Sequence, residues 1–486
     1  MNNKKLNIIP APKNIVIKDG AFSFATIFSK EESLENQLKS LCYFAKKLHN
    51  VTLEIKEGGL ELVKNASLAH GEYRLTVDEG GATIEASDND GFTYGCATVI
   101  QAAEVCGANL TLPCLEISDK PDCDYRALMV DLARKWHPFN TLLRYTDLCY
   151  LYKIKFLHLH FTDSPIYSLP SEKFPKIPSL EKHYTREQIA ELNEYARERN
   201  IEIIPEFDVP GHAKPIVAAY PELFANIPTG VEDDEEFALF FADIKQNVIC
   251  VGKEGVMDSL RVMAKEIADM FPYSRYLHIG GDEANIGEWK NCRVCQEYME
   301  KNGIDGARPL YTHFIKKMTD IVLEIGKTPI VWEGFPREGS EEISRDVIVT
   351  AWESYYHLAP ELIEEGFNIT NSSWEPLYCV PKGVKQFLPE GRWYPDEVLD
   401  WNIYTWKNWN KKTAAYEKPI VVEPTNQVLG ATFCAWEDDY DGEVQPVKEN
   451  LAAMSEKTWN VNSTVSKEEF AISLEKLLTM ADKLMH

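Results

Sequence analysis

Residues 126–133 read RALMVDLA, residues 156–161 FLHLHF, residues 201–208 IEIIPEFD and residues 276–281 YLHIGG. Each is a short, nearly continuous apolar run, the pattern of a strand buried on both faces of a parallel sheet. Between them the apolar residues recur at helical spacing, which predicts helices near Leu142–Tyr152, Arg186–Arg199 and Val256–Met270. A further helix near Leu310–Ile325 precedes TPIVWE (328–333), and VIVTAWE (347–353), NITNSSW (368–374) and ATFCAWE (431–437) follow. Eight strands alternating with helices specify a (β/α)8 barrel. An open, doubly wound sheet would call for a GxGxxG turn after the first strand, where this chain has ARKWHP (133–138).

Upstream, the pattern is that of a small α/β module. Asn14–Ile17 and Val51–Lys56 read as strands, and Tyr73–Val77 and Ala82–Ala86 flank a DEGG turn as a hairpin. A helix is expected over Thr93–Val105, closed by Gly107. The Pro- and Asp-rich stretch SDKPDCDYR divides residues 1–121, the small domain, from residues 122–486, the barrel with a terminal amphipathic helix over Lys467–Met485.

The 486 residues are 44% hydrophobic and 26% charged, globular averages, and the net charge is −25. That charge excludes nucleic acid as a partner class, since phosphate binding relies on clustered Lys and Arg. No apolar run approaches the roughly 20 residues of a membrane span, and the N-terminal MNNKKLNIIPAP lacks an apolar signal core. Eleven cysteines, an odd number without a short framework, predict free thiols and a cytoplasmic address. Cys292 and Cys295 have CxxC spacing, but no second pair accompanies them, so they read as thiols and no metal is expected.

In a barrel the chemistry sits just past the C-terminal strand ends. Those positions hold Arg134 and Trp136, Asp163, Asp208 and His212, then Asp282 and Glu283, and then Trp332 and Glu333. Trp352 and Glu353, Trp374, and Trp436 and Glu437 complete the ring. Stability alone does not require acids and indoles at so many corresponding places. Carboxylates bind sugar hydroxyls while indole faces pack on the apolar face of a pyranose, and breaking a glycosidic bond needs an acid at the leaving oxygen.

HIGGDEA (278–284) is the most specific segment, and with it the chain resembles glycoside hydrolase family 20, the β-N-acetylhexosaminidases. YRALMVDLARKWHP, FLHLHFTD, IIPEFDVPGHA, IVWEG, TAWES and FCAWED extend the resemblance along the barrel, and the small first domain resembles the one that precedes the family's barrel. The resemblance implies removal of a terminal β-linked N-acetylhexosamine from an oligosaccharide or glycoconjugate. It implies a retaining mechanism in which the substrate's acetamido oxygen is the nucleophile, with no cofactor. Glu283 would be the acid and then the base, and Asp282 would hold the acetamido N–H. Trp332, Trp352 and Trp436 would wall the acetamido group, and Tyr378 would bond its carbonyl oxygen. Arg126 matches an arginine that binds ring hydroxyls, and Asp163 with His212 matches a pair that contacts the general acid.

The chain departs from the family pattern at Ser164 after Asp163, at Val380 two residues past Tyr378, and at Glu437 and Asp438, which both follow Trp436. These positions bear on the O4 and O6 hydroxyls, and either Glu437 or Asp438 could be the hydroxyl-binding acid. A non-catalytic sugar-binding barrel would keep the tryptophans without needing adjacent Asp282 and Glu283. A metal-dependent hydrolase could use His278, Asp282, Glu283 and His212 as ligands. A homodimer is among the assemblies the sequence allows.

Overall fold

The computed structural model of the protein describes residues 6–231 and 246–486. The first domain contains β1 (Asn14–Phe24), β2 (Thr26–Ser29), β3 (Glu54–Ile55), β4 (Leu60–Lys64), β5 (Tyr73–Asp78), β6 (Gly81–Ala86), β7 (Glu104–Cys106) and β8 (Asn109–Asp119). They form one mixed sheet in the order β1-β8-β5-β6-β4-β2-β3, with β7 also on β8. The expected hairpin is β5–β6, in which Tyr73 faces Ala86 and Asp78 faces Gly81. Its alternate residues Tyr73, Leu75, Val77, Ala82 and Ile84 are buried, as a sheet covered on one face requires.

Two local expectations shift. The helix expected over Thr93–Val105 runs Asn89–Ala102, because Asp88 caps it by accepting from Gly91 N. Ala103 then turns extended, and Glu104–Cys106 find strand partners on β8 instead of continuing the helix. Only Glu54–Ile55 of the strand expected at Val51–Lys56 pairs, at the sheet edge. A helix over Glu35–His49, not anticipated from the sequence, packs beside Asn89–Ala102.

The barrel strands are β9 (Tyr125–Asp131), β10 (Phe156–His160), β11 (Glu202–Glu206), β12 (Tyr276–His278), β13 (Thr328–Trp332), β14 (Ile348–Ala351) and β15 (Asn368–Asn371). After β16 (Tyr378–Cys379) and the small ribbon β17 (Thr405–Trp406) and β18 (Ile420–Val421), β19 (Val428–Ala435) is the eighth barrel strand. Every neighbouring barrel pair is parallel, and β19 closes the ring by pairing with β9 on one side and β15 on the other. The fold is therefore the expected (β/α)8 barrel behind a small α/β domain. Helices Phe139–Leu151, Arg186–Glu198, Val256–Met270, Ala307–Glu324 and Lys467–Met485 occupy the places read from the apolar spacing. Among the described residues no helix is long and apolar enough to cross a membrane, and all cysteines are free thiols.

The two domains meet at the barrel floor through buried polar groups. Arg126, at the start of β9, donates to the backbone carbonyls of Cys123 and Lys153 and to Tyr94 Oη. Lys153 reaches Tyr73 Oη and lies 3.8 Å from Asp119, which also accepts from Trp459 Nε1.

Candidate active site

The turn after β12 decides how the site is built. Gly280 and Gly281 adopt left-handed φ of +64° and +93°, a region open to glycine at no steric cost. A Cβ on Gly280 would fall 1.8 Å from Asp208 Oδ1, so the chain must pass bare backbone against that carboxyl. Asp208 in turn accepts from Gly281 N at 3.3 Å, and burial pushes its own carboxyl well above the usual range. Asp208 thus supports the turn. Immediately beyond, Glu283 takes φ +48°, and three other non-glycine residues at the strand ends do likewise: His212 (+52°), Ser354 (+58°) and Glu437 (+62°). Such conformations cost on the order of 1–3 kcal/mol each and persist where surrounding structure over-determines them.

Three residues form a relay across the rim. His212 lies with Nδ1 3.2 Å from Asp163 Oδ1 and Nε2 3.5 Å from Glu283 Oε2. Asp163 also accepts from His160 Nε2 at 2.9 Å and pairs with Arg134 at 2.8 Å. Burial alone would raise the Asp163 pKa, but bonds from His160 and His212 and the charge of Arg134 outweigh it and hold the carboxyl well below its usual value. His212 is pushed the other way: desolvation would lower it, yet the surrounding carboxylates Asp208, Asp163 and Glu283 raise it well above the ordinary imidazole value. The His212 bond, partly opposed by desolvation, lowers the Glu283 carboxyl. Without a ligand the pair is therefore an imidazolium beside a carboxylate.

Asp282 points into a drier place. It is buried, its Oδ1 has no hydrogen-bond partner, and desolvation pushes its pKa up to about 7. A buried acceptor left unpaired is costly, and it marks a spot where a ligand's donor would fit.

Asp282 and Glu283 open on one cavity, lined also by Arg134, Trp332, Trp352, Trp374, Tyr378, Val380, Lys385, Trp436 and Glu437. Tyr378 stacks on Trp374 at a centroid distance of 4.3 Å, and Arg134 stands 4.7 Å over the Trp436 ring. Trp332 is fixed from inside the barrel, where its Nε1 donates to Glu206 Oε1 at 2.7 Å. Glu206 is fully buried and also accepts from His158 at 2.8 Å. Trp352 Nε1 donates to the Glu333 carbonyl. The Glu333 carboxylate is spent on the backbone N–H groups of Ser354, Tyr355 and Tyr356, so it shapes a loop rather than facing the cavity.

Of the residues singled out from the sequence, Asp282, Glu283, Trp332, Trp352, Tyr378, Trp436 and Glu437 line the cavity, and Asp163 and His212 stand behind Glu283. Two of those expected to bind sugar hydroxyls do not converge there. Arg126 begins its strand instead of ending it, so it is fully buried in the floor joint, and Arg134 is the cavity's guanidinium. Asp438 turns away from Glu437, accepts from Asp439 N and borders a separate cleft with Arg392 and Glu443. Glu437 lies past the end of β19 in a left-handed turn, and that turn brings Glu437 but not Asp438 to the site. Arg134 was legible as a strand-end residue; the role of Glu206, inside β11, was not.

Among the described residues, His212, Asp282 and Glu283 lie close enough to share an ion, as do His158, Glu206 and His278, and Cys250, Cys292 and Cys295. His212 has both ring nitrogens against carboxylates, and Glu206 is engaged by Trp332 and His158. Neither of these two groups presents a free set of lone pairs. Cys250 lies far from the CxxC pair in sequence and was not associated with it from the sequence.

Comparisons with known proteins agree along the chain. Residues 123–462 match the Glycosyl hydrolase family 20 catalytic domain and residues 5–120 match domain 2 of the same family. The chain is similar to the beta-hexosaminidase of Vibrio furnissii, 29% identical over 75% of this chain and 62% of that one. It is likewise similar to that of Porphyromonas gingivalis, 31% identical over 68% of this chain and 46% of that one. It therefore spans about half to three-fifths of the length of these relatives. In fold it resembles an exo β-N-acetylglucosaminidase from Vibrio harveyi, solved with N-acetylglucosamine (TM-score 0.83, 23% identity, 98% of this chain and 77% of that one). It also resembles a β-N-acetylhexosaminidase from Bacteroides fragilis (TM-score 0.80, 22% identity, 98% and 96%).

Proposed function

We propose, since this chain belongs to glycosyl hydrolase family 20, that it is an exo-acting β-N-acetylhexosaminidase. It would cleave terminal N-acetylglucosamine or N-acetylgalactosamine from glycans with retention, through an oxazolinium intermediate. The observation that carries this reading is the shared cavity of Asp282 and Glu283, walled by Trp332, Trp352, Trp436 and Tyr378.

The acetamido N–H donates to Asp282, supplying the partner that its Oδ1 lacks. The indoles hold the methyl and exclude water, and Tyr378 Oη bonds the carbonyl oxygen. That oxygen attacks C1 as the glycosidic bond breaks, and the departing oxygen takes its proton from Glu283. A sugar seated over Glu283, whose side chain is 53% exposed when free, strips its water and raises its proton affinity. The proton reaches it from His212, which Asp163 orients. Water then opens the oxazolinium ring, giving its proton to Glu283. The nucleophile arrives tethered to the substrate, an advantage worth roughly 7–11 kcal/mol in favourable geometries. Arg134 and Glu437 bind the ring hydroxyls. Eleven free thiols support a reducing, cytoplasmic setting.

The test is a panel of aryl β-N-acetylglucosaminide, β-N-acetylgalactosaminide and plain β-glucoside. One or both of the first two should turn over, and the glucoside should fall behind by several orders of magnitude. Equal hydrolysis of the glucoside would remove the acetamido nucleophile from the mechanism.

The two arginines separate binding from stability. Arg134→Lys should raise KM for the preferred aryl glycoside by roughly tenfold or more, because ammonium does not replace the planar fork. Arg126→Lys should leave KM unchanged and lower the melting temperature, having lost charge-assisted bonds worth about 1.5–3 kcal/mol each. An elevated KM in the Arg126 variant with an unchanged melting temperature would reverse the assignment.

A further inference from the structure

Outside the catalytic cavity, three thiols from distant parts of the chain meet in the interior. Cys250, Cys292 and Cys295 are each fully buried. Cys250 Sγ lies 3.7 Å from Cys292 Sγ and 3.5 Å from Cys295 Sγ, and all three sulfurs lie within 4.8 Å of one another. A disulfide needs sulfurs about 2.05 Å apart and would leave the third thiol over. Sulfurs on a tetrahedral ion with zinc–sulfur bonds of about 2.3 Å are separated by about 3.8 Å, close to the spacing observed.

The surroundings of Cys292 fit a thiolate. Ile227 N donates to Cys292 Sγ at 3.3 Å, the kind of outer bond that orients a metal-bound sulfur. Asn226, 1% exposed, donates its amide N–H to the Val248 carbonyl, and its Oδ1 accepts from the Cys295 thiol at 3.6 Å. Once Cys295 has lost its proton, that oxygen would be placed to take the fourth position. Cys292 immediately precedes the helix Arg293–Asn302 and Cys295 lies in its first turn, where the helix dipole favours negative sulfur. Gly252 lets the two segments close: a Cβ there would strike Val294 O at 2.5 Å and Cys295 Cα at 2.9 Å.

We propose that Cys250, Cys292 and Cys295 form a binding site for a thiophilic divalent cation, zinc(II) foremost, that staples two catalytic loops together. Binding converts three thiols to thiolates and releases three protons, with no change of oxidation state. The Cys250 segment also flanks His212: Ile249 N donates to Pro210 O, and Ala213 N donates to Asn247 O. The CxxC segment follows Glu283 through Trp289, whose indole N–H donates to Ile249 O at 2.8 Å. The ion would therefore fix the spacing of the His212–Glu283 pair without touching the sugar.

The test uses the full-length protein purified under reducing conditions without chelator. Elemental analysis should find about one zinc per chain. Cobalt(II) added to metal-stripped protein should produce an intense near-ultraviolet sulfur-to-cobalt band with tetrahedral visible bands. Cys250→Ser and Cys295→Ser should each lower the zinc content at least several-fold, and Cys106→Ser, at an exposed thiol, should leave it unchanged. Should the serine variants fail to fold, the cobalt spectrum of the unaltered protein still decides. Folded protein with neither zinc nor the cobalt band would overturn the proposal in favour of plain core thiols. A Cys250–Cys295 or Cys292–Cys295 disulfide recovered by peptide mass spectrometry from the native protein would overturn it in favour of a redox pair.

Discussion

Glu283→Gln lowers kcat on an N-acetylhexosaminide with a sugar or alkyl leaving group by about 10³-fold, within the range of general-acid contributions. With a nitrophenyl leaving group, whose departure needs little protonation, the loss in the first step is much smaller. The contrast follows from geometry: Glu283 faces the cavity and shares its proton with His212 at 3.5 Å. Glutamine keeps the shape and can neither give nor take that proton. Measuring kcat/KM against leaving-group pKa checks this, with a steep dependence for the variant and a shallow one for the parent. Parallel lines would mean that Glu283 is not the acid.

Asp282→Asn is the second large effect, and it pulls activity and stability apart. Turnover drops by about 10²–10³-fold or more, the scale of losing one preorganised electrostatic partner, since an amide can orient the acetamido group but cannot balance charge on the oxazolinium ring. Stability moves the other way above neutral pH. Desolvation raises the buried Asp282 carboxyl from its ordinary value of 3.8 to about 7, so the folded state favours its protonated form. That contribution is fully present below about pH 4 and is lost as pH rises to about 7, a change of no more than about 4 kcal/mol. Asparagine stays neutral throughout. The variant's melting temperature should therefore exceed the parent's at pH 8, and the gap should shrink by pH 5. A variant less stable than the parent at pH 8 would show that Asp282 is not held at a desolvation cost, and near-normal turnover would remove it from the mechanism.

The barrel was legible because strands buried on both faces carry unbroken apolar runs, and these are local. The acids and indoles were legible because a parallel barrel delivers all its strand ends to one face. What went astray depended on direction within a strand. Arg126 and Arg134 bracket β9, and sequence resemblance alone settled on the wrong one; the polarity of the strand puts the first at the floor and the second at the rim. Glu437 and Asp438 were indistinguishable in sequence, and the left-handed turn at Glu437 separates them. Cys250 was missed for a different reason: a whole helix and a barrel strand, Val256–Met270 and Tyr276–His278, separate it from its partners, so no spacing rule links it to the CxxC pair.

The floor joint has a consequence for how the molecule can be divided. Among the described residues, none of those lining the catalytic cavity comes from the first domain, so the barrel alone looks like a sufficient enzyme. Yet Arg126 and Lys153, barrel residues, find Tyr94 and Tyr73 in the other domain, while Trp459 near the chain's far end donates to Asp119. Cutting the chain between the domains would strand two cations at a half-dismantled interface, where an unpaired buried charge costs several kcal/mol. The smallest working fragment thus includes a domain that never meets the sugar, retained as the barrel's foundation.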